Sequence, residues 1–212
     1  MSAPERPAIP GAVPMSAPPA EVGWRTVDKL TLDDFRAADW ALLDRQREPF
    51  YAGRQAERVL GMLVAEQGDP TFGYRINNFQ HSLQAATLAW RAGEDEETVV
   101  VALLHDIGFI ACPGTHGPFA AALLGAYVSE RNRWMLERHQ IFQLAHLREY
   151  PHGDPEARER WRGHPHFAWT ADFVARYDQN AIDPGYPTAP LEFFAPLVRR
   201  ILARPPRPVP LD

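Results

Sequence analysis

Cysteine is nearly absent from this sequence, since Cys112 is the only one among 212 residues. An intramolecular disulfide and a cysteine-rich zinc site are therefore excluded, and a reducing compartment, the cytoplasm, is the expected location. Long apolar runs are also missing. No stretch approaches the roughly 18 apolar residues that span a membrane, and no basic region followed by an apolar one marks a signal peptide. We expect no membrane partner.

An excess of positive charge is the next absence. Lysine and arginine number 22 against 27 aspartates and glutamates, which leaves a net charge of −5 with the two signs mixed along the chain. Binding to a nucleic-acid backbone requires a basic patch or stripe. We therefore expect a small-molecule substrate and no nucleic acid. The oligomeric state stays open.

Proline is concentrated at the two ends of the chain. Because proline removes backbone donors and resists helix formation, residues 1–24 are predicted to be a disordered Pro/Ala-rich leader and residues 204–212 a Pro-rich tail. A chain of this length forms one domain by preference, so residues 25–203 are expected to be a single helical domain.

Helical patterns dominate between the two ends, and no segment alternates polar and apolar residues as a half-buried strand does. The predicted fold class is therefore all-α. Thr31 is expected to cap the first helix. The expected helices cover about 31–48, 54–67, 78–92, 94–108, 118–129, 133–149, 155–177 with a break near 163–165, and 191–203.

A set of histidines and aspartates forms a candidate metal site. Taken singly, a histidine is more often a core or surface residue than a ligand. However, His105 and Asp106 follow the apolar run Val99–Leu104, where a polar pair is costly unless something satisfies it. Imidazole nitrogen and carboxylate oxygen suit iron, manganese or zinc, and a carboxylate can bridge two ions. The complete set is His81, His105, Asp106, His116, His139 and Asp178.

The order of these residues resembles the HD-domain superfamily over roughly residues 70–182. The motif that carries the resemblance is Leu104-His105-Asp106-Ile107-Gly108, with Tyr177-Asp178 further on. The resemblance implies an HD-domain helical bundle with two metal ions and Asp106 bridging them. It assigns metal 1 to His81, His105, Asp106 and Asp178, and metal 2 to His116, His139 and Asp106.

Two reaction classes occur among proteins of this kind. The sequence is similar to the HD-domain mixed-valent diiron oxygenases, the branch of myo-inositol oxygenase and the phosphonate-cleaving enzymes, because Gln84 follows His81 by three and Phe109 stands where many hydrolases have lysine. The inositol oxygenase also has that lysine, so Phe109 counts against close similarity to that enzyme. The resemblance implies a non-haem oxygenase with an Fe(II)/Fe(III) pair and O2 as co-substrate. It would cleave a C–C or C–P bond of a small hydroxylated, anionic substrate.

The alternative is a metal-dependent HD phosphohydrolase that uses manganese or another divalent ion on a phosphate ester or nucleotide. A third possibility is a degenerate HD bundle that only binds a partner, and the complete ligand set argues against it. Seven arginines, Arg75 and Arg176 among them, are candidates to hold an anionic group, although a solvated arginine is the favoured interpretation for each.

The candidate catalytic residues are Asp106, Gln84 and Tyr74. Gln84 is expected to share a helix face with His81 and to donate to a metal-bound group or orient a carboxylate; the alternative is a packing hydrogen bond. Tyr74 lies in the loop before His81, and the resemblance implies that it occupies a metal position until substrate displaces it. The alternative is a packed loop aromatic.

Other polar residues near these motifs are interpreted as structural. Asp183 precedes a proline and is predicted to be a turn residue and not a ligand. His146 is expected to form a buried hydrogen bond or lie at the surface, and His152 to be exposed. His164 and His166 flank a helix break and are candidates to line the pocket, with a loop hydrogen bond as the favoured interpretation.

Overall fold

The structure is a computed structural model that describes residues 23–208. The predicted leader lies outside the described residues up to residue 22, and so does the predicted tail from residue 209. Residues 23–208 contain no strand, which confirms the all-α prediction, and none of their helices is long and apolar enough to cross a membrane. The α-helices are α1 (Ala37–Ala65), α2 (Asn78–Arg91), α3 (Glu96–Leu104), α4 (His116–Leu124), α5 (Glu130–Gln143), α6 (Phe167–Phe173) and α7 (Leu191–Leu202).

The chain divides into two compact units after Phe50. In the first unit, Lys29 forms an ion pair with Asp39 at 2.6 Å. The expected helix cap at Thr31 is wrong, because its hydroxyl donates to the Asp34 carboxylate at 2.9 Å and caps no backbone N–H. Only a short 3-10 turn, Leu32–Asp34, follows it, and α1 begins at Ala37.

The two helices expected over 31–48 and 54–67 are instead one continuous helix, α1, which contains Pro49. A proline inside a helix removes one hydrogen bond and ordinarily kinks or ends the helix. The residues on both sides of Pro49 are rich in alanine, arginine, glutamate and leucine. These strong helix formers offset the local cost, so the helix continues.

The core of the second unit is built around α3, which packs against α2 and α7. Asp95 caps this helix by accepting from the Thr98 N–H at 2.7 Å. The run Val99–Leu104 then has no solvent exposure at all. Each such valine or leucine contributes about 1.5–3 kcal/mol of burial free energy, which holds the end of α3 in the interior. His105 and Asp106 follow directly and are therefore placed inside the unit.

The expected break near residues 163–165 is present. A 3-10 turn, Ala157–Trp161, precedes it, and α6 follows it. α6 continues into a π-helical turn, Val174–Asp178, and this wider turn carries Asp178 on its last residue. π-turns are rare and occur frequently at functional sites.

Candidate metal centre

The six predicted ligands lie together in one buried cluster. They come from four helices or helix ends and the π-turn: α2, the end of α3, the start of α4, α5 and Val174–Asp178. None of the six is more than 9 % exposed. Buried histidines and aspartates in such number are costly unless they are paired or hold a cation. The residues, in chain order, are His81, His105, Asp106, His116, His139 and Asp178.

Local sequence explains how the helices present these side chains. Asn77 caps α2 in a reciprocal arrangement with Gln80, and this fixes the helix start one turn before His81. His116 is the first residue of α4, and His139 lies in the last turns of α5, which packs against α4. The packing of these two helices brings two histidines that are 23 residues apart into contact.

The four histidines form two facing pairs. The Nε2 atoms of His81 and His105 lie 3.2 Å apart, and the Nε2 atoms of His116 and His139 are also separated by 3.2 Å. We call these the first pair and the second pair. Two imidazoles that bind one ion at about 2.0–2.1 Å each have nitrogens separated by about 3.0–3.4 Å, so both distances fit a shared ion.

The other ring nitrogen of every histidine faces a main-chain carbonyl. The acceptors are the carbonyls of Ala181, Ala102, Pro113 and Leu136, at 2.8–3.0 Å from Nδ1 of His81, His105, His116 and His139 respectively. A carbonyl oxygen only accepts, so each Nδ1 donates its proton. Each neutral ring then directs an unprotonated Nε2 lone pair towards its partner. Two facing lone pairs need a cation between them, and fixing Nδ1 in this way is how metal-binding histidines are oriented.

Asp106 lies between the two pairs. Its Oδ1 atom is 3.0 Å from both His116 Nε2 and His139 Nε2, and its Oδ2 atom is 3.5 Å from His81 Nε2. Two groups of ligand atoms suited to an ion share this aspartate, one with each histidine pair. Oδ1 also lies 3.7 Å from His105 Nε2. Oδ1 is thus nearest to the second pair and Oδ2 is nearest to His81 of the first pair, an arrangement compatible with a bridging carboxylate.

Asp178 completes the first pair from the side opposite α3. Its Oδ1 atom lies 3.8 Å from the Nε2 atoms of both His81 and His105 and accepts a hydrogen bond from Gln143 Nε2 at 3.0 Å. Its Oδ2 atom is buried without a hydrogen-bond partner among the described residues. A buried carboxylate oxygen that lacks a donor is costly, and an ion at the first pair would satisfy it.

The charges of the cluster are strongly coupled. Burial lowers the pKa of His81. Burial also opposes protonation of His105, but Asp106 and Asp178 outweigh it and raise the pKa of His105 to about 9. The pKa of Asp106 lies well below its usual range despite burial, chiefly because of His105. In protein without metal, His105 therefore carries the proton that separates the first pair.

A buried glutamate that the sequence analysis missed, Glu66, stabilises the main chain around Asp106 and Gly108. Glu66 accepts from the Gly108 N–H at 3.2 Å and from Asn78 Nδ2 at 2.9 Å. Asn78 Nδ2 also lies 3.3 Å from the Asp106 carbonyl oxygen. Burial raises the pKa of the Glu66 carboxyl. No local pattern singles out Glu66, because it is one of several acidic residues in α1 and the turn that follows.

Gly108 allows the chain to turn sharply after the motif. It has a φ of +85°, and a Cβ atom there would lie 2.7 Å from the ring of Phe119. Both the backbone conformation and the space are therefore compatible with glycine alone.

Gln84 is buried on α2, and its side chain binds the main chain of Asp183 in both directions. Its Nε2 donates to the Asp183 carbonyl at 2.6 Å, and its Oε1 accepts from the Asp183 N–H at 2.9 Å. It orients no carboxylate of the cluster. The Ala181 carbonyl, two residues before Asp183, accepts from His81 Nδ1. Gln84 therefore fixes the main-chain segment that orients this histidine.

Tyr74 lies at the mouth of a cleft that opens on the cluster and is 65 % exposed. Neither His164 nor His166 lines this cleft; His164 stacks on Trp134 with ring centroids 4.2 Å apart. Asp183 is in a turn, where its Oδ1 accepts from the Gly185 N–H. The turn interpretation of Asp183 is thus confirmed.

The cleft has a volume of about 650 Å³, counting the part open to solvent. Its floor is formed by His81, Asp106 and His116. Gln143 also lines it, and since this residue binds Asp178 it connects the cleft to the first pair. Sequence reasoning missed Gln143, although its position four residues after His139 on α5 places it on the same helix face.

Comparison of the chain with models of protein families and with curated proteins gives no match. The buried cluster, which could hold metal ions, therefore stands on its own geometry.

Proposed function

We propose that this chain is a non-haem diiron oxygenase of the HD-domain type. It uses O2 to oxidise and cleave a C–C or C–P bond of a small hydroxylated substrate that carries an anionic group. The observation that carries the proposal is the pair of facing histidine pairs joined by Asp106. It supports two ions, whereas a lone His-Asp dyad supports one.

The ligand atoms are compatible with iron. Each pair offers two imidazole nitrogens and shares a carboxylate, and mixed nitrogen and oxygen ligands of this kind suit iron, manganese and zinc. When bound, an Fe(II)/Fe(III) pair supplies O2 binding and one-electron redox steps that zinc lacks. The open side of both pairs faces the cleft, where His81, Asp106 and His116 form the floor.

The cleft argues against a phosphohydrolase. Among the described residues, no lysine or arginine lines it, and Phe109 occupies the wall next to His116. A nucleoside di- or triphosphate brings three or more negative charges, more than the single phosphonate or carboxylate head of the proposed substrate, and an enzyme that binds one ordinarily places cations around it. Arg176, one of the candidates for that task, pairs instead with Asp172 and Glu94.

The reaction balances without an external reductant. Cleavage of a 1-hydroxyalkylphosphonate by one O2 gives a carboxylic acid and phosphate, and the substrate supplies all four electrons that reduce O2. Asp106 and the histidines position the ions, while Gln84 and the Ala181–Asp183 segment hold His81 in place.

The test is metal analysis of anaerobically purified protein, followed by EPR spectroscopy and O2-uptake measurements. About two iron atoms per chain, an EPR signal of a mixed-valent pair, and substrate-dependent O2 uptake are the expected results. Release of phosphate from nucleotides with manganese or cobalt, without O2 uptake, would instead establish the hydrolase.

A further inference from the structure

The walls of the cleft are neutral and largely apolar. Apart from the floor, its apolar lining consists of Pro70, Phe72, Ile76, Phe109 and Ile182. The carboxylate of Asp106 is the only one among the described residues that line it. An anionic group that enters such a space loses its hydration and gains no ion pair, which is costly. Only the metal centre can therefore compensate a negative charge on the substrate.

The amide side chains in the cleft have already used most of their donors. Asn77 Nδ2 donates to the carbonyls of Gln67 and Asp69, and Asn78 Nδ2 lies within reach of Glu66 and the Asp106 carbonyl. These amides cannot supply further N–H groups to an anion, since an amide nitrogen has two hydrogens.

Apart from the second hydrogen of Gln143 Nε2, what the amides still offer is acceptors. Asn78 Oδ1 and Gln143 Oε1 accept no hydrogen bond from any described residue, whereas Gln143 Nε2 has donated one hydrogen to Asp178. Both residues line the cleft close to the floor. A carbonyl oxygen in this place is satisfied by a hydroxyl that donates, and it repels a carboxylate or phosphonate oxygen.

The mouth of the cleft is apolar as well. Phe72, Tyr74 and Ile182 line it and are 64 %, 65 % and 50 % exposed. Phe72 has a φ of +52°, an uncommon conformation for a residue with a side chain, and it is followed by Gly73 at +97°. Exposed apolar side chains that surround a cleft are typical of a ligand-binding site.

We infer that the substrate is a hydroxy acid with one anionic head and an uncharged, apolar tail. The metal centre holds the head, Gln143 and Asn78 accept from its hydroxyl group, and the tail contacts Phe72, Phe109 and Ile182. This inference rests on the proposed function for the placement of the head on the metals. It excludes substrates with a second anionic group at the far end, including dicarboxylates and nucleotides.

The experiment uses two matched pairs of ligands on the metal-loaded protein under argon, with isothermal titration calorimetry as the measurement. One pair is 2-hydroxyhexanoate and 2-hydroxyadipate; the other is 1-hydroxypentylphosphonate and 5-hydroxy-5-phosphonopentanoate. Within each pair only the terminal methyl group is replaced by a carboxylate. In at least one pair we expect the methyl-terminated ligand to bind at least tenfold more tightly than its carboxylate counterpart.

A substitution at the mouth of the cleft tests whether the protein surface there causes the preference for an uncharged tail. Ile182→Lys places a cation beside the tail of the ligand. It is expected to reduce the affinity ratio between the methyl-terminated and the carboxylate-terminated ligand by at least threefold. Ile110→Lys is the matched control, because Ile110 is 45 % exposed but does not line the cleft, and it should leave the preference unchanged. A preference below tenfold in both pairs, equal or tighter binding of the carboxylate-terminated ligands, or no binding of any of the four, overturns the inference.

Failure of this inference is distinguishable from failure of the proposed function. Binding under argon needs no oxygenase activity, so the tail preference is measured whether or not the protein consumes O2. A ligand that binds with the expected preference but supports no O2 uptake would refute the oxygenase and leave the inferred ligand class in place.

Discussion

The Nε2 atoms of His81 and His105 face each other at 3.2 Å, although both rings donate their Nδ1 protons to main-chain carbonyls. Two neutral rings in this arrangement repel each other. Either a metal ion or an additional proton must separate them. The raised pKa of His105, about 9, identifies the ring that takes the proton when metal is absent.

Metal binding to the first pair is expected to release this proton. Below pH 9 the proton on His105 competes with the ion, so metal affinity should increase with pH and level off above about 9. At pH 7.5 about one proton per ion at the first pair should leave from His105. Calorimetric titration of the metal in buffers of different ionisation enthalpy measures the number of protons released per ion. A binding enthalpy that does not depend on the buffer would contradict the prediction.

The stability of metal-free protein should depend on pH for the same reason. The pKa of His105 is raised in the folded state from an ordinary value of 6.5, so its stabilising effect is complete below pH 6.5 and is lost as pH rises through about 9. The loss is on the order of a few kcal/mol, since one pKa unit corresponds to about 1.4 kcal/mol. Urea denaturation of the protein in chelator at pH 6, 7.5 and 9 measures it. Metal-saturated protein, the control, should not show this decline.

Asp106→Ala should abolish binding of both ions, because Asp106 belongs to both ligand groups. Asp106→Asn should retain one ion at most, since an amide has one oxygen and its nitrogen does not bind metal. Mass-spectrometric metal analysis, with circular dichroism to verify the fold, measures both. Asp183→Ala is the control and should bind two ions. Retention of two ions by Asp106→Ala would show that Asp106 does not bridge.

His139→Ala should mainly empty the second site. Its Nε2 atom contacts His116 and Asp106, and neither His81 nor His105 Nε2 depends on it. We expect about one ion per chain and loss of the mixed-valent EPR signal. His146→Ala, seven residues further and exposed, should leave metal content unchanged. An equal loss of both ions from His139→Ala would contradict two separable sites.

Glu66→Ala should weaken both folding and metal binding, because it leaves the Gly108 N–H and Asn78 Nδ2 without their acceptor. A buried donor that loses its partner costs about 1–3 kcal/mol. Glu66→Gln removes a charge whose ionisation burial disfavours and keeps one acceptor oxygen, but its NH2 group faces the second donor, so its stability and metal affinity should lie between those of Glu66→Ala and the unsubstituted chain. Thermal denaturation and metal titration measure the two effects.

Glu57→Ala is the matched control for Glu66. Glu57 lies on α1, shortly before the 3-10 turn that contains Glu66, but its ion pair with Arg199 is exposed, and exposed pairs contribute little. The thermal denaturation midpoint of Glu57→Ala should stay close to that of the unsubstituted chain. If Glu66→Ala binds both ions as tightly as the unsubstituted chain, Glu66 has only a structural role.

Much of the helix pattern was predictable because it is local. The helical pattern of the sequence places α2, α3 and α7 within a few residues of their observed positions. The continuity of α1 through Pro49 was not predictable in this way. The helix-breaking effect of proline concerns one position, whereas whether the helix continues depends on the helix formers on both sides. The roles of Glu66 and Gln143 were also hidden, because their partners lie 42 and 35 residues away in the chain.

The sequence by itself determined which residues can form the metal centre: histidine and aspartate are rare inside apolar helices, and their order and type are readable without coordinates. Only the tertiary structure decided how they combine. The pairing of His81 with His105 and of His116 with His139, the position of Asp106 between them, and the use of Gln84 on the Asp183 main chain all depend on helix packing. Packing is set by the burial of whole helix faces, so no residue pattern around a single histidine contains it.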